Sequence, residues 1–274
     1  MFGRRVDGRV NKKIDPIVRM TSAIMPHRCD AQVMVKKEID YEKMSEYIKS
    51  KKAEGIHISH MNIIVAAFVK TVCKFPEFNR FVMNKKIYQR NEICVSYTML
   101  KEKVDDNFNE TTVKLKFDEN DNIFTIAEKM QNAINENRKI EIANFTDKLA
   151  KLFLSLPFLP TLGIGLIKLL DRYGILPKVI VDASPFHTSM FITNMASIRM
   201  GYVYHHIYNF GTTSIFFSMG KKEQQVKIDK ENNITKKYVM PLGIVIDERI
   251  CSGAEYARGL AVMERYINHP ETLE

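Results

Sequence analysis

The chain has 274 residues, of which 45% are apolar and 27% charged, and its formal net charge is +9. This composition predicts a globular protein with a substantial core and excludes a disordered or fibrous chain. The four cysteines form no Cys-x-x-Cys pair, which argues against a zinc site, and we expect no metal. No secretory signal opens the sequence, so we expect free thiols and a cytoplasmic protein. The lysines are scattered rather than gathered on one helix, so we expect no nucleic-acid partner.

Predicted strands and helices alternate along the chain. Asp40 and Ser59 are expected to cap the first two helices, and the second is apolar almost all round, which predicts a central, buried helix. The last helix is expected to bury Ala257, Leu260, Ala261, Met263 and Ile267. Helices are predicted over 41–53, 61–74, 123–138 and 253–268, and strands over 31–39, 81–88 (a hairpin), 93–100, 112–117, 190–194, 214–219, 226–229 and 239–247. This order predicts an α/β two-layer fold, with a mixed sheet covered by helices.

Residues 152–167 carry no charge. A membrane span normally needs about 20 apolar residues, and this shorter segment also contains two prolines and two glycines. Three interpretations stay open: short helices packed on the core or on a neighbouring subunit, a surface that contacts lipid or a long acyl chain, and a true span.

The C-terminal part contains a recognisable motif in altered form. An apolar strand over 241–247 is followed by Glu248, Ser252 and Gly253, and then by the last helix. This arrangement resembles the His-x-x-x-Asp-Gly motif of the dihydrolipoyl acyltransferases of 2-oxoacid dehydrogenase complexes and of chloramphenicol acetyltransferase. Glu248 stands at the position of the His and Ser252 at that of the Asp. Shorter matches to the same family lie, in order, at 25–35, 76–79, 185–191, 191–195 and 267–271.

The resemblance implies one acyltransferase-like domain over 1–274, of the chloramphenicol acetyltransferase-like fold, without lipoyl or peripheral-subunit-binding domains. It also implies coenzyme A or acyl-CoA as the bound cofactor, an unknown acceptor, and a homotrimer with the active site between subunits. Asp147-Lys148 superficially matches a lipoylated Asp-Lys pair, but the residues that follow it have a helical pattern, so we expect no lipoyl attachment.

The altered motif leaves the role of Glu248 open. In the family the His is the general base, and a carboxylate is a weak base unless burial raises its pKa. Glu248 is therefore either a replacement base or part of an ion pair with its charged neighbours. Ser252 and Glu255 have the spacing of a capping box, which explains Ser252 without chemistry. Gly253 fits a tight strand-to-helix junction.

The resemblance also implies a hydroxyl that stabilises the tetrahedral oxyanion. Thr193 holds that position in one alignment and Ser189 in the other, and Asn194 is expected to support the same turn. Both hydroxyls are also ordinary strand residues.

Three histidines are candidates for a substitute base, namely His187 and the adjacent pair His205 and His206, of which His206 is the leading choice. The pair lies before the strand that precedes the altered motif, so it does not align with the family His.

Three functions remain open from the sequence. The first is a CoA-dependent acyltransferase that transfers an acyl group between a CoA thioester and a thiol or hydroxyl acceptor. The second is a catalytically inactive, trimeric binding or scaffold protein that has lost the His and Asp of the motif. The third is a lipid-facing protein that uses residues 152–167.

Overall fold

The computed structural model describes residues 5–100, 110–137, 159–228 and 232–274. The strands and helices of these ranges are β1 (Gly8–Val10), α1 (Pro16–Ile24), β2 (Gln32–Asp40), α2 (Tyr41–Ala53), α3 (His60–Lys74), β3 (Arg80–Met83), β4 (Lys86–Arg90), β5 (Ile93–Leu100), β6 (Glu110–Phe117), α4 (Ile123–Asn137), α5 (Leu159–Tyr173), α6 (Lys178–Ala183), β7 (Met190–Asn194), β8 (Ile215–Met219), β9 (Glu223–Ile228), β10 (Ile234–Asp247) and α7 (Gly253–Asn268).

Two sheets organise these elements. The larger one has the strand order β2-β10-β8-β7-β5-β6, and β9 pairs with the first part of β10; the smaller one has the order β1-β4-β3. Strand β7 runs parallel to both β5 and β8, whereas the other pairs of the large sheet are antiparallel. The sheet is therefore mixed and covered by helices, as the sequence predicts.

The central helix α3 explains how the large sheet is covered on one face. Every residue from Asn62 to Val69 is buried, and Phe68 packs edge-on against Phe217 of β8 with ring centroids 6.3 Å apart. Ser59 and Asn62 form a reciprocal capping box at its start, and Asp40 caps α2 by accepting from the backbone amides of Glu42 and Lys43. The predicted caps and the predicted burial of α3 are confirmed.

Three expectations for individual elements were wrong. Strands β9 and β10 are longer than predicted because they pair as a ribbon that extends beyond β8, where residues 223–225 and 235–237 are all polar and show no apolar strand pattern. On α7 the buried face contains Tyr256 and Gly259, whereas Ala257 and Ala261 are exposed. The face is rotated because Tyr256 packs on Phe78 with ring centroids 5.6 Å apart, and Phe78 also lies against Gly259.

The uncharged segment 152–167 is described only from residue 159 onward. Its described part begins α5, on which Leu162, Ile164 and Leu166 are exposed. Among the described residues, no helix is long and apolar enough to cross a membrane. Asp147-Lys148 lies outside the described residues.

A buried ion cluster joins the N-terminal segment to α5 and to the start of β7. Arg5 contacts Asp7 at 2.8 Å and Asp171 at 2.5 Å, and His187 Nε2 lies 3.2 Å from Asp171 Oδ2. Arg90 adds hydrogen bonds to the backbone oxygens of Thr188 and Thr212. We call these five residues the Asp171 cluster: Arg5, Asp7, Arg90, Asp171 and His187.

Candidate active site

A cavity of about 670 Å³ lies at the C-terminal ends of β5 and β7, a volume within the usual range for small-molecule sites. One wall is apolar and contains Met99, Met130 and Ile134. Thr193 and His205 also line the cavity. The cavity therefore combines room for an apolar group with two polar side chains that can take part in chemistry.

Thr193 lies near the end of β7 with an uncommitted hydroxyl. Its Oγ1 accepts a long hydrogen bond of 3.5 Å from Thr98 Oγ1, and among the described residues its own proton has only the Met195 sulfur, at 3.8 Å, as a partner. A thioether is a weak acceptor, so the hydroxyl proton is available to a stronger one. The adjacent Asn194 also lines the cavity, and its Oδ1 is buried and accepts no hydrogen bond from the described residues.

Ser189 is in a different situation from Thr193. It is buried, its Oγ accepts from the backbone N–H of Cys94 at 2.9 Å, and its hydroxyl donates to Asn79 Oδ1 at 2.5 Å. The hydroxyl ties the start of β7 to β5 and to the turn before β3. It does not line the cavity that contains Thr193.

His205 lies flat on the aromatic surface of the cavity. Its ring is parallel to that of Phe216, with centroids 4.1 Å apart, and Phe216 is in turn stacked on Phe191 at 5.0 Å. His205 Nδ1 lies 2.8 Å from the backbone oxygen of His206, which can only accept, so Nδ1 carries a proton. In the neutral ring Nε2 is then unprotonated, and no described residue bonds to it. Burial lowers the pKa of His205, which favours this neutral form.

Two strand residues hold the segment before His205 against the sheet. Ser218 of β8 accepts from the Val203 backbone N–H at 2.9 Å and donates to the Val203 backbone oxygen at 2.5 Å. Gly243 of β10 makes room for this contact, because a Cβ there would lie 2.2 Å from the Val203 oxygen. The other end is fixed by Asn209, whose Oδ1 accepts from the Arg28 backbone N–H at 2.7 Å. His205 thus lies between two anchors.

His206 and His187 lie elsewhere. His206 is exposed, and its ring contacts His205 and Tyr208. His187 is buried in the Asp171 cluster, where its Nδ1 is 2.8 Å from Ser184 Oγ, and burial lowers its pKa below the ordinary value.

Glu248 lies far from Thr193 within one chain. Thr193 is paired with Ser218 and Ser218 with Gly243, so Glu248 is two strands across from Thr193 and five residues further along β10 and its extension. At about 3.3 Å per residue that is about 17 Å along the sheet alone. The Glu248 side chain is exposed and makes no hydrogen bond or ion pair with the described residues, although its backbone N–H donates to the Ala31 oxygen at 2.9 Å.

The ion pair next to Glu248 is formed by its neighbours. Arg249 binds Asp247 through two hydrogen bonds of 2.7 Å each, and Arg28 Nε lies 3.4 Å from the same carboxylate. All three side chains are buried. Burial, together with the positive charge of Arg249, lowers the pKa of Arg28 to about 10. The group fixes the end of β10 and holds the segment around Arg28, but it does not include Glu248.

Ser252 and Gly253 have local roles at the start of α7. Ser252 Oγ accepts from the Glu255 backbone N–H at 3.3 Å, and Glu255 Oε2 accepts from the Ser252 N–H at 2.7 Å, so the predicted capping box is confirmed. A Cβ at Gly253 would meet nothing within 4 Å and the backbone is not left-handed there, so the junction does not itself require glycine.

The sequence did not reveal the stack of His205, Phe216 and Phe191. A weak signal exists, because Phe191 and Thr193, like Phe216 and Ser218, are two residues apart and so share one face of neighbouring strands. Which loop covers that face is not encoded in this spacing.

The comparisons with known proteins agree with this architecture. The family model of the 2-oxoacid dehydrogenases acyltransferase (catalytic domain) matches residues 187–274, which contain β7 to α7 with Glu248 and Ser252. No curated protein matches the sequence.

Solved structures are similar over nearly the whole chain at low sequence identity. A probable dihydrolipoamide acetyltransferase from Listeria monocytogenes is 16% identical, with a TM-score of 0.55 and 94% of each chain covered. A catalytic core of the 2-oxoacid dehydrogenase multienzyme complex from Thermoplasma acidophilum is 14% identical, with a TM-score of 0.56 and 95% of this chain and 98% of that chain covered. A chloramphenicol acetyltransferase is 12% identical, with a TM-score of 0.55 and 97% of this chain and 100% of that chain covered. Residues 187–274 thus match the acyltransferase catalytic-domain family of the 2-oxoacid dehydrogenases, on a fold that this chain shares with those cores and with chloramphenicol acetyltransferase.

Proposed function

We propose that the protein transfers an acyl group between a CoA thioester and a thiol or hydroxyl acceptor, and that the reaction takes place in the cavity beside Thr193. The observation that carries the proposal is the Thr193 hydroxyl on the wall of a cavity of about 670 Å³, whose proton has only a thioether as partner in the part of the chain that the structure describes. A hydroxyl in this position can donate to the oxyanion that forms when the thioester carbonyl is attacked.

Thr193 is favoured over Ser189 because the hydroxyl of Ser189 already makes strong hydrogen bonds and that of Thr193 does not. The Ser189 hydroxyl would have to give up its hydrogen bond to Asn79 before it could donate to a substrate, whereas the Thr193 hydroxyl gives up only a sulfur contact. The apolar wall with Met99, Met130 and Ile134 is suited to the acyl chain.

The test compares Thr193→Val with Ser189→Ala in an assay of thiol release from a panel of acyl-CoA esters, with a dithiol and an alcohol as acceptors. Valine keeps the shape of threonine and removes only the donor, so we expect kcat/KM to fall by about 10²–10³-fold at an unchanged melting temperature. Ser189→Ala should lower the melting temperature, because it leaves the Cys94 N–H and Asn79 without their partner, with little effect on kcat of the folded protein. An equal rate for Thr193→Val and the unmodified protein would overturn the assignment.

The second candidate is a trimeric binding or scaffold protein without catalysis. It is favoured by Glu248, which stands at the family's base position but is exposed and has no side-chain partner among the described residues. Acyl-CoA binding by isothermal titration calorimetry, without thiol release from any ester of the panel, would support this candidate against the enzyme.

A further inference from the structure

We infer that His205 is the general base of this protein and that it acts within the same chain as Thr193. The inference rests on the proposed acyl transfer. It assigns the missing base to a residue outside the altered motif and predicts that the base and the oxyanion donor of one reaction belong to one subunit.

The first argument is placement. Phe191 and Thr193 lie on one face of β7, and Phe216 and Ser218 lie beside them on β8. His205 is stacked on Phe216, and His205 and Thr193 line the same cavity. Thr193 lies two residues, about 7 Å, beyond Phe191 along β7, and His205 lies across the sheet from Phe191 on the far side of the Phe216 ring, so the two polar side chains border different parts of one cavity that a bound thioester and its acceptor would occupy together.

The second argument is the protonation pattern. The backbone oxygen of His206 accepts from His205 Nδ1, so a neutral His205 presents the lone pair of Nε2. A hydrogen bond from one ring nitrogen to a fixed oxygen is the usual way in which a protein sets the tautomer and orientation of a reactive histidine. The parallel stack on Phe216 fixes the ring plane.

The third argument is rigidity. A catalytic group must be held by its surroundings, and the segment that carries His205 is anchored by Ser218, next to Gly243, at one end and by Asn209 at the other. Neither of the other two candidates has this combination, because His206 is exposed and His187 is enclosed in the Asp171 cluster. His57 also lines the cavity, but it is exposed and makes no side-chain hydrogen bond with the described residues that would set its tautomer.

The reaction step balances with these two residues. His205 Nε2 takes the proton from the S–H or O–H of the acceptor, whose sulfur or oxygen forms a bond to the thioester carbonyl carbon. The electron pair of the C=O bond moves to the oxygen, which accepts a hydrogen bond from Thr193 Oγ1. The intermediate then collapses, the carbon–sulfur bond to CoA breaks, and the thiolate of CoA takes the proton back from Nε2.

The central test is His205→Asn in the full chain. The asparagine amide can still donate to the His206 oxygen in the place of Nδ1, while the basic nitrogen is lost. We expect kcat to fall by about 10²–10⁴-fold with little change in KM or melting temperature, and to recover in part when imidazole is added. His27→Gln is the matched control, because His27 is exposed and outside the cavity, and its rate should equal that of the unmodified protein.

A second variant and a spectroscopic measurement keep the inference falsifiable. Gly243→Ala forces the Val203 backbone away from β10 and should displace His205, lowering kcat while the fold persists. Long-range ¹H–¹⁵N spectra at neutral pH should show His205 with a protonated Nδ1 and an unprotonated Nε2, a result that depends on no substrate.

The outcomes separate this inference from the proposed function. If the unmodified protein turns over no acyl-CoA ester, the proposed function fails. If it does and His205→Asn keeps its full rate, the inference is wrong and the proposed function stands. An Nε2-protonated tautomer of His205 would also overturn the inference.

Discussion

At the scale of single residues, the altered motif and the cavity wall have separate roles. Glu248 is exposed at the end of β10, whereas Thr193 and His205, two of the polar residues that line the cavity, come from β7 and from the segment that precedes β8. The residue at the position of the family's His therefore lies two strands across from Thr193 within one chain.

The first prediction at this scale concerns Glu248→Gln. Because the side chain has no partner among the described residues, we expect kcat/KM within about twofold and a free energy of unfolding within about 0.5 kcal/mol of the unmodified protein. Thiol-release kinetics and urea denaturation measure the two quantities. A tenfold or larger loss of rate at unchanged stability would instead mean that Glu248 acts as a base on substrate bound to a neighbouring subunit.

At the scale of elements, buried charges determine how the segments outside the main core are attached. The Asp171 cluster joins α5, the N-terminal segment and the start of β7, and nearly all of its charged groups are paired. Burial lowers the pKa of His187, with the hydrogen bond and charge of Asp171 acting in the opposite direction. For Asp171, burial would raise the pKa, but the contacts with His187 and Arg5 outweigh it and hold the pKa below its usual value.

These shifts in pKa predict that the folded protein loses stability as the pH is lowered. The unfolded chain protonates His187 below about pH 6.5, whereas the folded chain does so only at its lower, folded pKa, so stability is lost as the pH falls through this window. Asp171 adds a further loss at lower pH, since its stabilising contribution is present above about pH 4 and disappears as the pH falls through its folded pKa.

The substitution His187→Gln tests the contribution of His187, which belongs to the higher of these two pH ranges. In the unmodified protein the free energy of unfolding decreases as the pH is lowered from 7.5 to 5.5. In the variant this slope, measured by urea denaturation, should be smaller by up to about 1.4 kcal/mol per pH unit. Some dependence remains, because burial also lowers the pKa of His60 and of His205. His27→Gln is the control and should keep the original slope. If His187→Gln keeps it as well, His187 is not neutral in the folded protein.

At the scale of the whole molecule, two of the described helices expose several apolar side chains: α1, at Ile17, Met20 and Ile24, and α5. Leu162 is 75% exposed and Leu166 56% exposed on α5, and Leu169 of the same helix is 52% exposed. A contiguous apolar face on one helix is typical of an interface. It fits the sequence-based proposal that the segment 152–167 packs on a neighbouring subunit, and with it the proposed homotrimer.

The prediction is a mass of three times the protomer's 31.8 kDa in sedimentation equilibrium at micromolar concentration. The double substitution Leu162→Glu and Leu166→Glu should give folded monomers, because it places charges on the exposed face and leaves the buried core unchanged. Val226→Glu, at an exposed site on β9, serves as the matched control. A monomeric unmodified protein would disprove the trimer, and binding of that monomer to lipid vesicles would support the lipid-contact interpretation of the same segment.

The sequence by itself determined the order and type of most elements, because apolar periodicity and capping residues act within a few positions of one another. Asp40, Ser59 and Ser252 mark helix starts with side chains that bond two or three residues ahead, and α3 shows its burial in its composition. The altered motif around Glu248 could likewise be recognised in the sequence, and it predicted the fold. Only the tertiary structure decided that the Ser189 hydroxyl is hydrogen-bonded to Cys94 and Asn79, whereas Thr193 faces a cavity. It also decided that His205 rather than His206 lies on the wall of this cavity. These outcomes depend on contacts between segments distant in the chain, such as Val203 with Ser218 and Gly243, whose geometry no local pattern encodes.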